Sequence, residues 1–218
     1  DALADWGWRL AFIPGPIIGI IGYILRRNIH EIEGWKNVDA RAPISEVVRY
    51  HRKPLLELIA LCAAGGVSYY LAFVYMTTYL TDVVKTPSAD ALEINTAAIV
   101  FLIVCMGFFG WLSDRLGRRP VILAGSGGLV LFSYPLFMLL HSGGLGFELF
   151  GDFAFAFLIA AFAGPTAAWM AELFPRHVRF TGVSVGYSLP LGVLGGSTPL
   201  VATWLIVETG DPYSPAFY

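Results

Sequence analysis

Six runs of mostly apolar residues, at roughly 8–26, 55–80, 95–113, 120–140, 147–171 and 182–206, divide the sequence, and each is long enough for a helix to cross a bilayer. That recurrence leaves little choice of fold. A backbone in hydrocarbon must satisfy its own hydrogen bonds, so these runs predict an all-α polytopic membrane protein with six transmembrane helices. Composition points the same way: 56% of the 218 residues are hydrophobic and 14% charged, whereas a soluble domain carries about 25% charged residues.

The charges lie almost entirely between the runs, and unevenly. Arg26, Arg27, Lys36, Arg41, Arg49, Arg52 and Lys53 flank or occupy the first joining segment, Arg115, Arg118 and Arg119 the third, and Arg176 and Arg179 the fifth. The positive-inside rule makes these alternate segments cytoplasmic. The other side has Arg9 and Lys85 as its only cations, against Asp1, Asp5, Asp82, Asp90, Glu93, Glu208 and Asp211. Both ends of the sequence are therefore expected to face outward. Basic segments placed directly beside spans are explained by orientation in a lipid bilayer, and a net charge of −2 calls for no nucleic-acid partner.

Little in the polar segments suggests bond-making chemistry. Cys62 and Cys105 lie inside apolar runs without a CxxC spacing and read as small buried hydrophobes. His30, His51, His141 and His177 all fall in loops or at helix ends and read as surface histidines, so the sequence shows no histidine relay, no metal site and no enzyme. Segment 27–54 reads as a linker ending in a short amphipathic helix around Ile44-Ser45-Glu46-Val47-Val48. Trp6 and Trp8, instead of a basic stretch, precede the first run, which argues against a signal peptide; we expect the sequence to start and stop inside a longer protein.

Polar groups within spans are costly and tend to face a bundle interior or cavity. The 55–80 run is richest. At helical spacing Ser68, Ala72, Tyr75 and Tyr79 share one face, with Gly66, Tyr70, Phe73 and Thr77 on an adjacent one. Aromatic rings with hydroxyl handles suit a quaternary ammonium or compact zwitterion, and would also accept a carboxylate. Tyr70, Tyr75, Thr77 and Asp152 are the resulting substrate-binding candidates. Tyr79, nearer the outer end, reads as an interfacial belt residue, Asn95 and Thr96 as a helix-start cap, and Glu57 as a carboxylate favoured by its helix dipole.

Asp152 is the one carboxylate that can fall well inside a span. It is either a proton carrier or substrate counter-charge, or an interfacial residue if its helix begins later. Gly164-Pro165 interrupts one span, and Pro190, Gly192, Gly195, Gly196 and Pro199 the last; broken helices point to transporter sites and gates.

The most specific segment is Gly110-Trp111-Leu112-Ser113-Asp114-Arg115-Leu116-Gly117-Arg118-Arg119-Pro120. Gly110 should end a helix closely packed on a neighbour, Gly117 permits a tight turn, and Pro120 suits a first helical turn. The segment resembles the loop motif of the major facilitator superfamily, Gly-x-Leu-Ala-Asp-Arg-x-Gly-Arg-Arg, with Ser113 as a conservative departure. Glu172 to Gly182, Gly195 to Leu205, Trp6-Gly7-Trp8-Arg9 and the tyrosine-rich run Tyr69 to Leu80 are similar to the metabolite:proton symporter family within it, which includes carriers of proline and betaine, 2-oxoglutarate, citrate and shikimate.

That resemblance covers nearly the whole sequence and implies a division of it. Residues 1–26 would be transmembrane helix six of the amino-terminal bundle, 27–54 the central cytoplasmic loop, and 55–218 the carboxy-terminal bundle, helices seven to eleven, stopping before helix twelve. It implies a secondary active transporter of the inner, cytoplasmic membrane, taking up a small polar metabolite such as an osmolyte zwitterion or organic acid by alternating access. No cofactor is implied beyond the proton as coupling ion, and the missing amino-terminal helices would be the partner. A non-transporting sensor or channel of the same fold is the alternative. The resemblance also implies a cytoplasmic gate built from Gly110, Asp114, Arg115, Gly117, Arg118 and Arg119. By position in this sequence, Glu172 at the cytoplasmic end of the fifth span is either the counter-charge to one of these arginines or a solvated interfacial residue, and Arg179 is a candidate partner for Asp114.

Overall fold

Five of the six apolar runs emerge as helices long and apolar enough to cross a membrane. The computed structural model describes residues 7–27 and 43–218, which fall into two compact units, Asp1–Arg41 and Ala42–Tyr218. In the first, a 3-10 turn over Gly7–Phe12 precedes helix α1, Pro14–Arg27. Pro14 and Pro16 suit a first turn, where no backbone N–H is required, so the 8–26 run is divided instead of forming one helix. At 14 residues α1 rises about 21 Å, short of the ~30 Å hydrocarbon core.

The second unit opens with the short helix α2, Pro43–Tyr50, the expected amphipathic segment. Five long helices follow: α3 Arg52–Val84, α4 Ser88–Leu116, α5 Arg118–His141, α6 Leu145–Leu173 and α7 Arg179–Thr209. A final 3-10 turn spans Ser214–Phe217. Unit two thus begins before residue 55, because α2 packs on the bundle: Val47 is buried with Leu55, Leu58, Cys62, Phe174 and Val178. The larger core lies between α3, α4, α5 and α6.

Without a hydrophobic drive between helices in lipid, close approach depends on small residues. A Cβ on Gly125 of α5 would stand 2.5 Å from the Phe162 backbone nitrogen of α6, and one on Gly164 would stand 2.8 Å from the Met106 carbonyl of α4. These crossings have no room for a methyl group. Gly110 also faces α6 across the Gly164 carbonyl, but it does not end its helix; α4 runs six residues further, to Leu116.

The expected interruptions are present and extend further than the glycines and prolines. Gly164 and Pro165 form a turn inside α6, and Leu191–Gly195 is a π segment of α7 between Pro190 and Pro199. Helix α3 carries two more, Tyr70–Tyr75 and Tyr79–Val84. A π turn bonds i to i+5 and shifts every later side chain around the helix axis, so a face counted at 3.6 residues per turn does not persist through it. Tyr79 accordingly turns inward: it is fully buried against Phe137, not placed in an interfacial belt.

The basic segments of this unit meet at one end of the bundle, where α2, the α4–α5 turn and the α6–α7 turn are tied by Glu46–His177 and Arg118–Glu172. Their opposite end is joined by Thr86–Glu148 and by His141 against Tyr213. This is the arrangement that charge alternation predicts for the cytoplasmic and outer faces.

Candidate functional site

The α4–α5 turn is closed by Gly117, whose φ of 95° and ψ of 153° lie where side chains other than glycine are strained. Its N–H returns to the Ser113 carbonyl at 3.0 Å, and α5 starts at once with Arg118. This reversal aims the Arg118 guanidinium back across the end of α4. There it pairs with Asp114, donates from Nη1 to Ser113 Oγ at 2.9 Å, and reaches Glu172 Oε1 from both Nε and Nη2 at 3.4 Å. One side chain thus binds the end of α4, the start of α5 and the end of α6.

Ser113 does more than its place in the motif suggested. Fully enclosed, its hydroxyl donates to the Gly110 carbonyl at 2.7 Å while accepting from Arg118, so it fixes the guanidinium's direction. Arg115 is turned the other way, 4.3 Å above the Trp111 ring as a cation–π pair. The expected pairing of Arg179 with Asp114 is not formed among the described residues. Arg179 starts α7 and donates from Nε to the Phe174 carbonyl at 3.2 Å, because the extended backbone at Phe174 leaves that carbonyl without a helical partner, while Asp114 is taken by the residue four positions along its own turn.

At the same end, three residues from three different segments converge. His177 Nε2 lies 3.0 Å from Glu46 Oε1, His51 meets the His177 ring edge to face, and one ligand-capable atom of each residue lies within 4.8 Å of the others. Sequence spacing shows no such cluster, since 131 positions separate Glu46 from His177.

Within the spans, Asp152 is fully buried and neither carboxylate oxygen has a hydrogen-bond partner among the described residues. Its helix begins at Leu145, so the residue lies two turns inside α6, not at an interface. Glu148, one turn outward, is also buried and accepts from Thr86 Oγ1 at 3.0 Å. Asn95 is not a cap: α4 starts at Ser88, after Pro87, and Asn95 instead donates to the Phe73 carbonyl at 3.0 Å, meeting a backbone that the π segment of α3 leaves displaced.

Tyr70, Tyr75 and Thr77 are not brought together with Asp152 in one pocket. The Tyr70 ring covers Gly195 and the Tyr75 hydroxyl lies beside Thr203, so both tyrosines face α7. A cavity of about 500 Å³ lies instead between α3, α5 and α6, against Ala64, Ser68, Leu129, Ser133 and Phe162. Its walls are apolar, and the Ser68 and Ser133 hydroxyls are spent on carbonyls of their own helices, so it offers little to a zwitterion. The aromatic face inferred for α3 is redistributed by its π turns.

Apolar spans with broken helices, tied at one end by an arginine between two carboxylates, define a polytopic helical membrane protein. The family model described as Major Facilitator Superfamily matches residues 2–198, and the chain belongs to that superfamily. Its members are transporters, not enzymes, and the chain is a multi-pass protein of the cell membrane.

The chain is 32% identical over 224 residues to a protein named "Putative proline/betaine transporter" from Staphylococcus aureus (strain COL), covering 100% of this chain and 48% of the relative. It is 30% identical over 232 residues to the glycine betaine/proline/ectoine/pipecolic acid transporter of Dickeya dadantii and, over the same length, 30% identical to the ectoine/proline transporter of Corynebacterium glutamicum; both alignments cover 100% of this chain and 46% of the relative. The chain therefore spans about half the length of the curated relatives it matches. No solved structure matches.

Proposed function

We propose that this chain is the carboxy-terminal bundle, with the preceding helix, of a secondary transporter that takes up a compact osmolyte zwitterion with protons by alternating access. The observation that carries the reading is Arg118, held between Asp114 and Glu172. Charges that clasp three helix ends at the cytoplasmic face, with a half-buried arginine between two exposed carboxylates that water can resolvate, suit a latch that closes and reopens. The gate residues are then Gly110, Asp114, Arg115, Gly117, Arg118, Arg119 and Glu172, with Arg179 bracing the neighbouring turn.

The relatives' printed names favour proline and betaine-like substrates over organic acids. Asp152 is the group in this chain best placed to hold a proton or face a cationic substrate group, since a carboxylate buried in a span without a partner is costly to retain for packing alone. Tyr70 and Tyr75 lie where α3 meets α7, both interrupted there, and motion between them would open the rings to substrate.

The test is uptake of labelled proline and glycine betaine into vesicles containing the full-length protein. Saturable accumulation that collapses with the proton gradient supports the proposal; passive, non-saturating flux or no flux of either compound overturns it. The 218-residue chain reconstituted alone should not transport, because the site is expected between two bundles.

A further inference from the structure

Glu46, His51 and His177 assemble at the cytoplasmic end of the bundle, and the gate uses none of them. We propose that these three side chains form a zinc-binding site, with water as the fourth ligand, which fixes α2 to the α6–α7 turn. The proposal is independent of which substrate the transporter carries.

The donor set selects the metal. Two imidazoles and one carboxylate with an open position are a recurrent zinc set, while calcium and magnesium prefer oxygen ligands alone. Zinc bonds of about 2.0–2.2 Å in a tetrahedron place ligand atoms about 3.4 Å apart. The His177–Glu46 separation of 3.0 Å needs to open by only a few tenths of an ångström. The remaining separations, none above 4.8 Å, close by rotation of side chains that are not fully enclosed.

The backbone beneath the site is already fixed. Glu46 adjoins Val47 and His177 adjoins Val178, and both valines are among the most deeply buried side chains, packed into one apolar cluster. His51 lies between α2 and α3, its N–H on the Val47 carbonyl at 3.0 Å and its carbonyl accepting from Leu55 at 3.0 Å. The Val178 N–H returns to Pro175 at 3.2 Å, which holds the turn bearing His177. Ligands carried on rigid backbone lose little freedom on binding. Their outer sides remain open, Glu46 at 38% and His177 at 44% side-chain exposure, which leaves room for a bound water and a path for the ion.

Full-length protein without a polyhistidine tag would be titrated with zinc in competition with a chromophoric chelator. The expected result is one zinc whose affinity falls by at least about tenfold in Glu46→Gln, His51→Gln or His177→Gln, the lower end of the loss seen even for outer-shell changes. The triple variant should lose it. Thermal unfolding should shift upward with zinc in the parent and not in the triple variant, and matching transitions in chelator would show that both are folded.

Should the variants fail to fold, cobalt added to the parent decides: strong visible bands of a four-coordinate ion support the site, and weak six-coordinate bands overturn it. Absence of saturable zinc binding by the parent, or equal binding by a folded triple variant, also overturns it. No uptake is measured, so failure here is separable from failure of the transport assignment.

Discussion

The guanidinium of Arg118 lies 3.4 Å from the Glu172 carboxylate, so a single charge pair joins the start of α5 to the end of α6. Arg118 is also bound to Asp114 and Ser113 on α4, whereas Glu172 is largely exposed. The pair is therefore suited to being broken and remade.

Reversing one charge should impair the latch more than removing it. Arg118→Glu and Glu172→Arg are each expected to lower initial uptake by the full-length protein several-fold, and the double reversal to recover part of it. Recovery stays partial because Asp114 would then face a carboxylate. Unchanged uptake in both single variants would eliminate the latch.

Gly117→Ala places a side chain at φ 95° and ψ 153°. Strain of about 1–3 kcal/mol is expected, read as a lower unfolding midpoint in detergent together with slower uptake. Gly127→Ala, on the same helix as the turn's exit and with open space around its Cβ, is the control and should change neither.

Asp152→Leu removes a buried carboxylate without partners. The fold should gain stability, by roughly 1–3 kcal/mol as an unsatisfied polar group is lost, while proton-driven accumulation disappears. Greater stability with full accumulation would show that Asp152 takes no part in transport. Asp152→Glu, which keeps the acid, separates charge from shape.

Gly125→Ala tests a helix crossing at which backbone meets backbone. The added methyl would meet backbone atoms of Ala161 and Phe162 that no rotamer change can move. Overpacking should cost about 1–3 kcal/mol, measured by thermal unfolding, and Gly125→Leu should prevent a stable bundle.

Much of the architecture can be read along the sequence because bilayer length and charge asymmetry act locally. The five long helices, the α2 segment, the Gly117 turn and the breaks at Gly164-Pro165 and around Pro190 follow from span length, cations and residues with restricted or free φ. Failures occur where local period meets tertiary demand. A 3.6-residue spacing puts Tyr75 and Tyr70 on two adjacent faces of one regular helix, and two π segments in α3 overturn that count; position near the outer end makes Tyr79 a belt residue, whereas it is buried against Phe137. Ser113 looked interchangeable with alanine because its hydroxyl matters only once Arg118 folds back over it.

By itself the sequence determined a membrane-spanning helical class and its superfamily, since both depend on runs and a motif within about 20 neighbouring residues. Tertiary structure alone decided which of the three arginines meets Glu172, that Glu46 meets His177 across 131 positions, and that Asp152 is enclosed without a partner among the described residues. Those outcomes depend on which helix faces touch, and the faces are set by glycine crossings and π turns that act between helices.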